Sequence, residues 1–387
     1  MADARCRRCG GALPPGGGCA RCLLALGLSE GLTPQTGPGP SSVDPGLEVS
    51  ERIGPYRVLD TVGSGGVGAV SLAEQEEPVR GRVALKVVRP GLASVDVLGR
   101  FEAERQVLAL LDHPGIAKVF DSGSAEDGQP WVAMEWVPGV PITEHCDRER
   151  LTLGQRLLLF VEVCDAIQHA HTRGVLHRAI KPSNVLVTDV DGRPRPKVVD
   201  FGVAVALGPK VTEQTLYTAL GILVGTPGYL SPEQTGPAPL EVEPRSDVYS
   251  LGVLLYELLV GGPPFDPRRL RQAGWAGLAR IIRTEVPSRP SARVSTLARG
   301  TVSEAAFRRR LEPGSLAREL RGDLDAIVQK ALEKDPGQRY ASVAELASDV
   351  ERHLGGERVT AAPRSPWERL SATLRNLWAR VAHPGSH

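Results

Sequence analysis

Residues 177–184, HRAIKPSN, place charged and amide side chains on a short loop between two apolar stretches. A histidine–arginine pair, a lysine and an asparagine in this order outline a phosphoryl-transfer loop. Where such a loop should carry an acidic side chain, it carries Ala179. The chemistry in question is therefore phosphoryl transfer, with one expected functional group missing.

A glycine-rich segment upstream, Gly63–Val70, contains the spacing GxGxxG. Glycines allow backbone N–H groups to approach phosphate oxygens without interference from a Cβ atom. A dinucleotide-binding turn has the same spelling but continues into a helix, whereas Ala69–Ala73 is strand-like. The segment therefore predicts a phosphate-binding hairpin, with an ordinary glycine-rich hairpin as the alternative.

Lys86 and Glu104 form a second candidate pair. Lys86 ends the strand-like run VALK, 18 residues after Gly68. Glu104 shares a face with Phe101 and Leu108 on the amphipathic helix that follows. A strand lysine paired with a glutamate of a neighbouring helix can hold nucleotide phosphates while its own charge is compensated. Taken alone, Lys86 would instead read as an unpaired surface lysine.

The elements that must position these residues follow from periodicity. Short β-rich runs separated by turns predict an antiparallel sheet from Tyr56 onward; the runs are YRVLDTV, GAVSLAE, RVALKVV, AKVFDSG and WVAMEWV. Helical spacing predicts helices at Val95–Leu111, Leu153–His171, Ser246–Val260, Asp323–Leu332 and Val343–Leu354. The chain should therefore form a small β-rich lobe followed by a larger helical lobe.

Two further motifs complete the pattern. Asp200-Phe201-Gly202 follows Asn184 after sixteen residues, and Ser231–Glu233 reads SPE. In order and spacing, the motifs over roughly 55–355 resemble the eukaryotic-type serine/threonine protein kinases of bacteria. PWVAMEWVPGVPITEHCD and GDLDAIVQKALEKDPGQRYAS resemble one bacterial subgroup, in which a cysteine-rich N-terminus is also familiar.

The resemblance implies an α+β, two-lobed protein kinase fold for residues 55–355. The N-lobe would span 55–133, the hinge 134–139 and the C-lobe 140–355. A Pro/Gly/Ser-rich linker, 31–54, would precede this domain, and an amphipathic tail, 356–387, would follow it.

The resemblance also implies that the chain binds ATP and magnesium. Lys86 and Glu104 would anchor the phosphates, Lys181 would neutralise the transferring phosphoryl group, and Asn184 with Asp200 would hold magnesium. The lysine at 181 is the serine/threonine form of the loop. The residues expected to contact the nucleotide are Val62, Gly63, Ser64, Gly65, Gly66, Val67, Gly68, Ala69, Val70, Ala84, Lys86, Glu104, Met134 as gatekeeper, and the backbone from Glu135 to Val137.

Other residues are implied to support the site. Asp247, in RSDVYSLG, would brace the catalytic loop, and Glu233 would pair with Arg339. A phosphate on one of the loop threonines is predicted to pair with Arg178; the candidates are Thr212, Thr215 and Thr218.

Ala179 departs from the family at the position of the general base. That carboxylate orients the acceptor hydroxyl and accepts its proton, which a methyl group cannot do. Losing a positioned base costs on the order of 10²–10⁴ in rate. Two hypotheses follow: a protein kinase with impaired activity towards protein serine or threonine, and a pseudokinase that acts as an ATP-binding signalling or scaffold module.

Four of the six cysteines lie in the first 22 residues, as two CxxC pairs. Two such pairs can complete a tetrahedral shell, so Cys6, Cys9, Cys19 and Cys22 predict a structural zinc knuckle within residues 1–30. Two disulfides are the alternative, disfavoured in a reducing cytoplasm. Cys164 lies on an apolar helical face and is expected to be an inert core thiol.

Composition limits the remaining functional classes and locations. The formal net charge of +1 gives no global electrostatic case for nucleic acid. No apolar run reaches the length of a membrane span, and no secretory signal is evident, so a cytoplasmic location is expected. The tail has apolar residues at helical spacing, which fits either contact with a membrane surface or partner, or packing against the helical lobe.

Overall fold

The computed structural model describes residues 52–64, 68–76, 80–88, 111–125, 128–201, 226–236 and 243–361. Several predictions fall outside these residues and stay predictions. They concern the zinc knuckle, the glycine-loop residues 65–67, the helix carrying Glu104, the three loop threonines, and the tail from residue 362.

The N-terminal lobe is a six-stranded antiparallel sheet with the order β1-β2-β3-β4-β6-β5. The strands are β1 Arg52–Ile53, β2 Tyr56–Ser64, β3 Gly68–Gln75, β4 Gly81–Val88, β5 Val119–Ser124 and β6 Pro130–Glu135. Register shifts in β2 and β5 interrupt the regular ladder, and such irregularities curl a sheet. The five predicted β-runs are therefore confirmed, while β1, which lies in the predicted linker, was not anticipated.

Side-chain alternation along β4 separates core from site. Val83, Leu85 and Val87 pack with Tyr56 and Trp131 on one face of the sheet. The intervening residues of β4, among them the predicted site residues Ala84 and Lys86, point to the other face, because successive side chains of a strand alternate.

The C-terminal lobe is mainly helical. Its helices are α1 Ile142–Arg148, α2 Leu153–His171, α3 Pro244–Val260, α4 Pro267–Gln272, α5 Gly274–Thr284, α6 Pro290–Thr296, α7 Arg299–Phe307, α8 Pro313–Leu320, α9 Asp323–Ala331 and α10 Val343–Leu354. A small antiparallel sheet has the order β7-β8-β9. β7 Val140–Pro141 precedes α1, whereas β8 Val185–Val190 and β9 Arg193–Val198 lie between α2 and α3 in sequence.

The bounds of α2 and α10 match the predictions because both helices carry local start signals. Thr152 and Gln155 form a capping box at the start of α2, and the Ser342 side chain accepts the Glu345 N–H at the start of α10. α3 begins two residues before the predicted Ser246, with a proline in its first turn, where the missing N–H has no cost.

α3 is the central element of this lobe. Every residue from Ser246 to Val260 except Glu257 is buried, and α2, α6, α9 and α10 all pack against the helix. Its burial fixes α3 rigidly, so it can serve as a platform for the loop that precedes β8. Among the described residues, no helix combines the length and apolar character that crossing a bilayer would require.

Candidate active site

Asp247 of α3 fixes the catalytic loop through hydrogen bonds to the loop backbone. Its carboxylate accepts the backbone N–H groups of His177 and Arg178, each at 2.8 Å, and contacts His171 Nε2 at 2.8 Å. Burial acts to raise the pKa of Asp247, but the hydrogen bond and charge of His171 outweigh it and the pKa lies below its ordinary value. Asp247 is therefore ionised and occupies the bracing position.

The loop conformation around Ala179 does not depend on the side chain at that position. The Ala179 carbonyl accepts a hydrogen bond from Asn184 Nδ2 at 2.9 Å, and its N–H donates to His177 Nδ1 at 3.3 Å. Arg178 adopts a left-handed backbone conformation, φ 65°, which turns the chain sharply before Ala179. Backbone groups and neighbouring side chains thus preserve the loop although residue 179 has only a methyl group.

Lys86 and Asp200 connect the two lobes. Lys86 Nζ, on β4, donates to Asp200 Oδ2 at 2.9 Å, and their side chains are 13% and 22% exposed. Burial acts to raise the pKa of Asp200, but the charge and hydrogen bond of Lys86, with the charge of Lys181, lower it overall. The structure thus brings together the predicted phosphate anchor and a predicted magnesium ligand, whereas Glu104 lies outside the described residues.

His177 and Phe201 fix the backbone beside Asp200. Their rings lie 4.6 Å apart between centroids, and His177 Nε2 lies 3.1 Å from the Val199 carbonyl oxygen. Burial lowers the pKa of His177, so the ring is neutral and acts as a spacer between the loop and the segment that carries Asp200.

The apolar residues Val70, Ala84, Met134 and Val137, which the resemblance places around the nucleotide's adenine ring, fall into two clusters. Ala84 and Met134 are register partners on β4 and β6, and Val70 packs against them. Val137 belongs to a second cluster with Leu186 of the C-terminal lobe. Within the predicted hinge 134–139, β6 continues through Glu135 and residues 136–139 connect it to β7; the bounds of the hinge stay a prediction.

The described ends of the glycine loop form a hairpin. Gly63 pairs with Val70 and Ser64 with Ala69 across β2 and β3, and Val62 is buried. A Cβ atom on Gly68 would lie 1.9 Å from the Val87 carbonyl oxygen. Only glycine therefore permits this close approach of β3 to β4.

One ion pair and one backbone hydrogen bond near the site, both to Glu135, were not foreseen. Lys197 Nζ on β9 contacts Glu135 Oε1 at 2.6 Å, and the Lys118 N–H donates to Glu135 Oε2 at 3.2 Å. A single lysine on a strand carries no sequence signal for such a contact. The pair joins the last residue of β6 to the small sheet of the other lobe.

Glu233 and Arg339 form the predicted buried pair. Two N–H···O contacts of 2.8 Å link them, and Ser246 Oγ donates to Glu233 Oε1 at 2.6 Å. Next to Glu233, Gln234 Nε2 donates to the Arg178 carbonyl at 2.9 Å, so the SPE segment is tied to the catalytic loop. Sequence reasoning missed Gln234.

The Nε atom of Arg178 is buried and makes no hydrogen bond to any residue that the structure describes. The predicted pairing of Arg178 with a phosphothreonine stays a prediction, because the three candidate threonines lie outside the described residues.

Asn184 and Asp200 suit a magnesium ion chemically. Asn184 Nδ2 is engaged by the Ala179 carbonyl, which leaves the amide oxygen as its ligand atom, and the carboxylate of Asp200 is ionised. Both are hard oxygen donors. Within the described part of the chain no three His, Cys, Asp or Glu side chains converge as a metal site, but magnesium held partly by nucleotide phosphates needs no such cluster.

Comparison with known proteins agrees with this geometry. Serine/threonine-protein kinase Pkn1 of Myxococcus xanthus is 30% identical over 401 residues, covering 95% of this chain and 52% of that protein. Serine/threonine-protein kinase PknB of Mycobacterium tuberculosis is 34% identical over 332 residues, covering 84% and 46% respectively. The chain thus spans about half the length of these curated relatives.

A solved structure and a family profile complete the comparison. The crystal structure of the Mycobacterium tuberculosis PknI kinase domain matches with a TM-score of 0.54 and 29% identity, covering 78% of this chain and 97% of that one. The profile of the protein kinase domain matches residues 56–350. Because the profile covers more than half of the chain and the two-lobed fold agrees with the solved structure, the chain belongs to the protein kinase domain family, among relatives that are bacterial serine/threonine kinases.

Proposed function

We propose that the chain binds ATP with magnesium and transfers phosphoryl groups to protein serine or threonine hydroxyls only weakly. The observation that carries the proposal is the catalytic loop itself. Asn184 and Asp247 hold its backbone in place, while Ala179 offers no proton acceptor at the position of the family's base. Binding and positioning groups are retained, and one group that acts on the acceptor is lost.

Each retained residue has a role in this proposal. Lys86 would contact the nucleotide phosphates, Lys181 would neutralise the phosphoryl group in transfer, and Asn184 with Asp200 would hold magnesium. Magnesium, when bound, neutralises charge on the phosphates. The Lys86–Asp200 contact of 2.9 Å supports this assignment, because it brings the two oppositely charged groups to one place between the lobes.

The size of the defect follows from the kind of catalysis. Phosphoryl transfer depends mostly on positioning and on stabilisation of charge, and those parts are present. A missing general base costs on the order of 10²–10⁴ in rate. The carboxylate of Asp189 cannot replace it, since it accepts the Gly192 N–H at 2.8 Å in the exposed β8–β9 turn.

The second candidate function is a pseudokinase, in which ATP binding supports a signalling or scaffold role without turnover. The methyl group of Ala179 favours this reading, because no rearrangement of the described loop supplies a proton acceptor at residue 179. The partner would be a protein in either case. A cytoplasmic location belongs to both candidates, because ATP is supplied there.

Nucleotide binding and transfer should be measured separately. Titration calorimetry with ATP, with and without magnesium, tests binding, and labelled ATP with a generic protein substrate tests transfer. Asp200→Asn and Lys86→Met are the matched controls. Magnesium-dependent binding with slow transfer that Asp200→Asn abolishes supports the weak kinase, and binding without transfer supports the pseudokinase. A chain that does not bind ATP refutes both.

A further inference from the structure

Positive charge is concentrated in one part of the C-terminal lobe. Residues 266–321 contain thirteen arginines, no lysine and five acidic residues, although the whole chain has a formal charge of only +1. Some of these arginines have structural partners. Arg309, for example, is buried and donates to the carbonyls of Leu259 and Leu258 at the end of α3. Arg308 likewise pairs with Asp147 and Glu304.

The exposed arginines of α4 and α5 form what we call the arginine face: Arg268, Arg269, Arg271, Arg280 and Arg283. Trp275, Leu278 and Ile282 on the opposite side of α5 are buried in a cluster with Leu230 and Phe265. The apolar side of α5 is thereby anchored to the lobe. Its arginines, spaced three residues apart, project together into solvent.

Among the described residues, the acidic side chains near Arg268, Arg269, Arg280 and Arg283 do not neutralise these four arginines. Glu285 accepts two hydrogen bonds from Arg269, at 2.9 and 2.7 Å, and also contacts Arg280 at 3.5 Å. One carboxylate therefore serves two guanidinium groups, whose side chains remain 54% and 63% exposed. Arg268 and Arg283 make no ion pair with any other described residue.

The arginine face borders the segment that leads into the active site. α4 packs against the turn Pro227–Tyr229, and α5 packs against the turn Pro232–Thr235. The second turn contains Gln234, which is hydrogen-bonded to the Arg178 carbonyl in the catalytic loop. A polypeptide bound beside this segment would therefore lie within reach of the arginines.

We infer that the arginine face binds an acidic segment of the protein that the kinase site acts on or engages; the inference rests on the proposed function. Arginine suits this role because its planar guanidinium group binds carboxylates in a bidentate manner. Charge of one sign on both helices would steer an acidic chain towards the site and fix its direction.

The composition of the face argues against two other ligands. The exposed residues of α5 are Ala276, Arg280, Arg283 and Thr284, so no aromatic ring is available for stacking on bases. The same residues include no large apolar side chain. Val286, just beyond α5, is 76% exposed, but a single aliphatic group does not make an apolar face that could enter a lipid headgroup region. An acidic protein segment needs neither.

Binding can be tested without any catalytic activity. The probe is a fluorescently labelled peptide with a central threonine flanked by aspartates and glutamates, measured by anisotropy at low and high salt. In the neutral control peptide, asparagine and glutamine replace the aspartates and glutamates. We expect the full chain to prefer the acidic peptide, and we expect Arg280→Glu/Arg283→Glu to weaken that binding by roughly tenfold or more.

The matched control is Arg299→Glu/Arg321→Glu, which reverses two exposed arginines near α7 and α8, away from α4 and α5. It should change binding by no more than about twofold, since distant surface charges are screened. Thermal unfolding of both variants should match that of the parent chain, which excludes loss of folding as the cause.

Several outcomes would overturn the inference: equal binding of the two peptides, no effect of the Arg280/Arg283 reversal, or an equal effect of the control. Tighter binding of single-stranded DNA, of anionic vesicles or of a second copy through the same arginines would assign the face to another partner class. Nucleotide binding is measured on the same samples. Arginine-dependent peptide binding without ATP binding would refute the proposed function and leave the arginine face as a protein-binding surface.

Discussion

Hydrogen bonds with neighbouring side chains hold the backbone at Ala179, so a different side chain at this position should leave the loop conformation unchanged. Asn184 Nδ2 bonds its carbonyl, and the residue is only partly buried. An aspartate there would remain hydrated and would not bury an unpaired charge. The missing carboxylate can therefore be restored without rebuilding the loop.

We predict that Ala179→Asp raises phosphoryl transfer by about 10²-fold or more, the usual contribution of a general base. ATP affinity should change little, because Lys86, Asn184 and Asp200 are untouched. Initial rates with labelled ATP and the same generic protein substrate measure the gain. Ala179→Asn, which is similar in size but cannot accept the proton, is the control. If both variants bind ATP and neither transfers phosphate, the defect is not confined to residue 179.

The side chain of Glu135 makes two contacts that should support the hinge. Lys197 binds its carboxylate at 2.6 Å, and the Lys118 N–H binds the other oxygen. Because the same residue supplies a hinge peptide, the ion pair should hold the backbone where adenine is expected to bind. Its side chains are 19% and 30% exposed, so the contribution should be modest.

We predict that Lys197→Met weakens ATP binding by about three- to fivefold, which corresponds to a contribution of up to about 1 kcal/mol. Arg195→Met is the matched control, since Arg195 lies two residues earlier on β9 and pairs with Glu162 of α2 instead. Titration calorimetry of both variants measures the effect. Equal affinity in Lys197→Met and the parent would show that the pair does not support the hinge.

At the scale of elements, the Glu233–Arg339 pair joins the turn Pro232–Thr235 to the chain before α10. Their side chains are 4% and 0% exposed. Burial acts to raise the pKa of Glu233, but Arg339 outweighs it and the pKa lies below its ordinary value. The ionised pair therefore stabilises the fold above the pKa of an unfolded glutamate, about 4.3, and this contribution is lost as pH falls through the lower, folded value.

We predict that Glu233→Gln lowers the free energy of unfolding at neutral pH by about 3–5 kcal/mol, because it leaves Arg339 buried without its charge partner. The difference from the parent should shrink at acidic pH. Denaturant unfolding followed by circular dichroism measures both. Glu285→Gln, which breaks a bidentate but exposed pair with Arg269, should cost no more than about 1 kcal/mol. Similar losses in the two variants would contradict this account.

At the scale of the whole molecule, the cysteines divide into two groups. Cys146 and Cys164 are buried, and burial raises the pKa of the Cys146 thiol to about 12 and that of Cys164 well above its ordinary value. Both are therefore inert in the folded protein, as predicted for Cys164. The four N-terminal cysteines, by contrast, are the proposed zinc ligands.

We predict one zinc ion per chain, because two CxxC pairs complete a four-thiolate shell. Elemental analysis of the purified protein measures it, and a chelator should release the ion together with four reactive thiols. Cys6→Ser/Cys9→Ser should lose the metal, whereas Cys146→Ser should retain it. Four reactive thiols in metal-free protein as purified would refute the zinc site.

The sequence alone determined the features whose causes are local. The alternating β-runs, the capped helices α2 and α10, and the order of the motifs follow from neighbouring residues. The short helices α4 to α8 were missed because none is longer than 11 residues, which leaves little room for apolar periodicity; α4, α6 and α8 each begin at a proline. β9, with the sequence RPRPKV, has two prolines and three cations and becomes a strand only by pairing with β8.

Only the tertiary structure decided which charged and polar groups meet. Lys86 and Asp200 are 114 residues apart, Glu135 and Lys197 are 62 apart, and Gln234 lies 56 residues from Arg178. No local pattern encodes such contacts, because they arise where separately folded elements pack together. The sequence could therefore name the groups suited to phosphoryl transfer and the absent one, while α3 and the strand register determined that the loop around Ala179 remains in place.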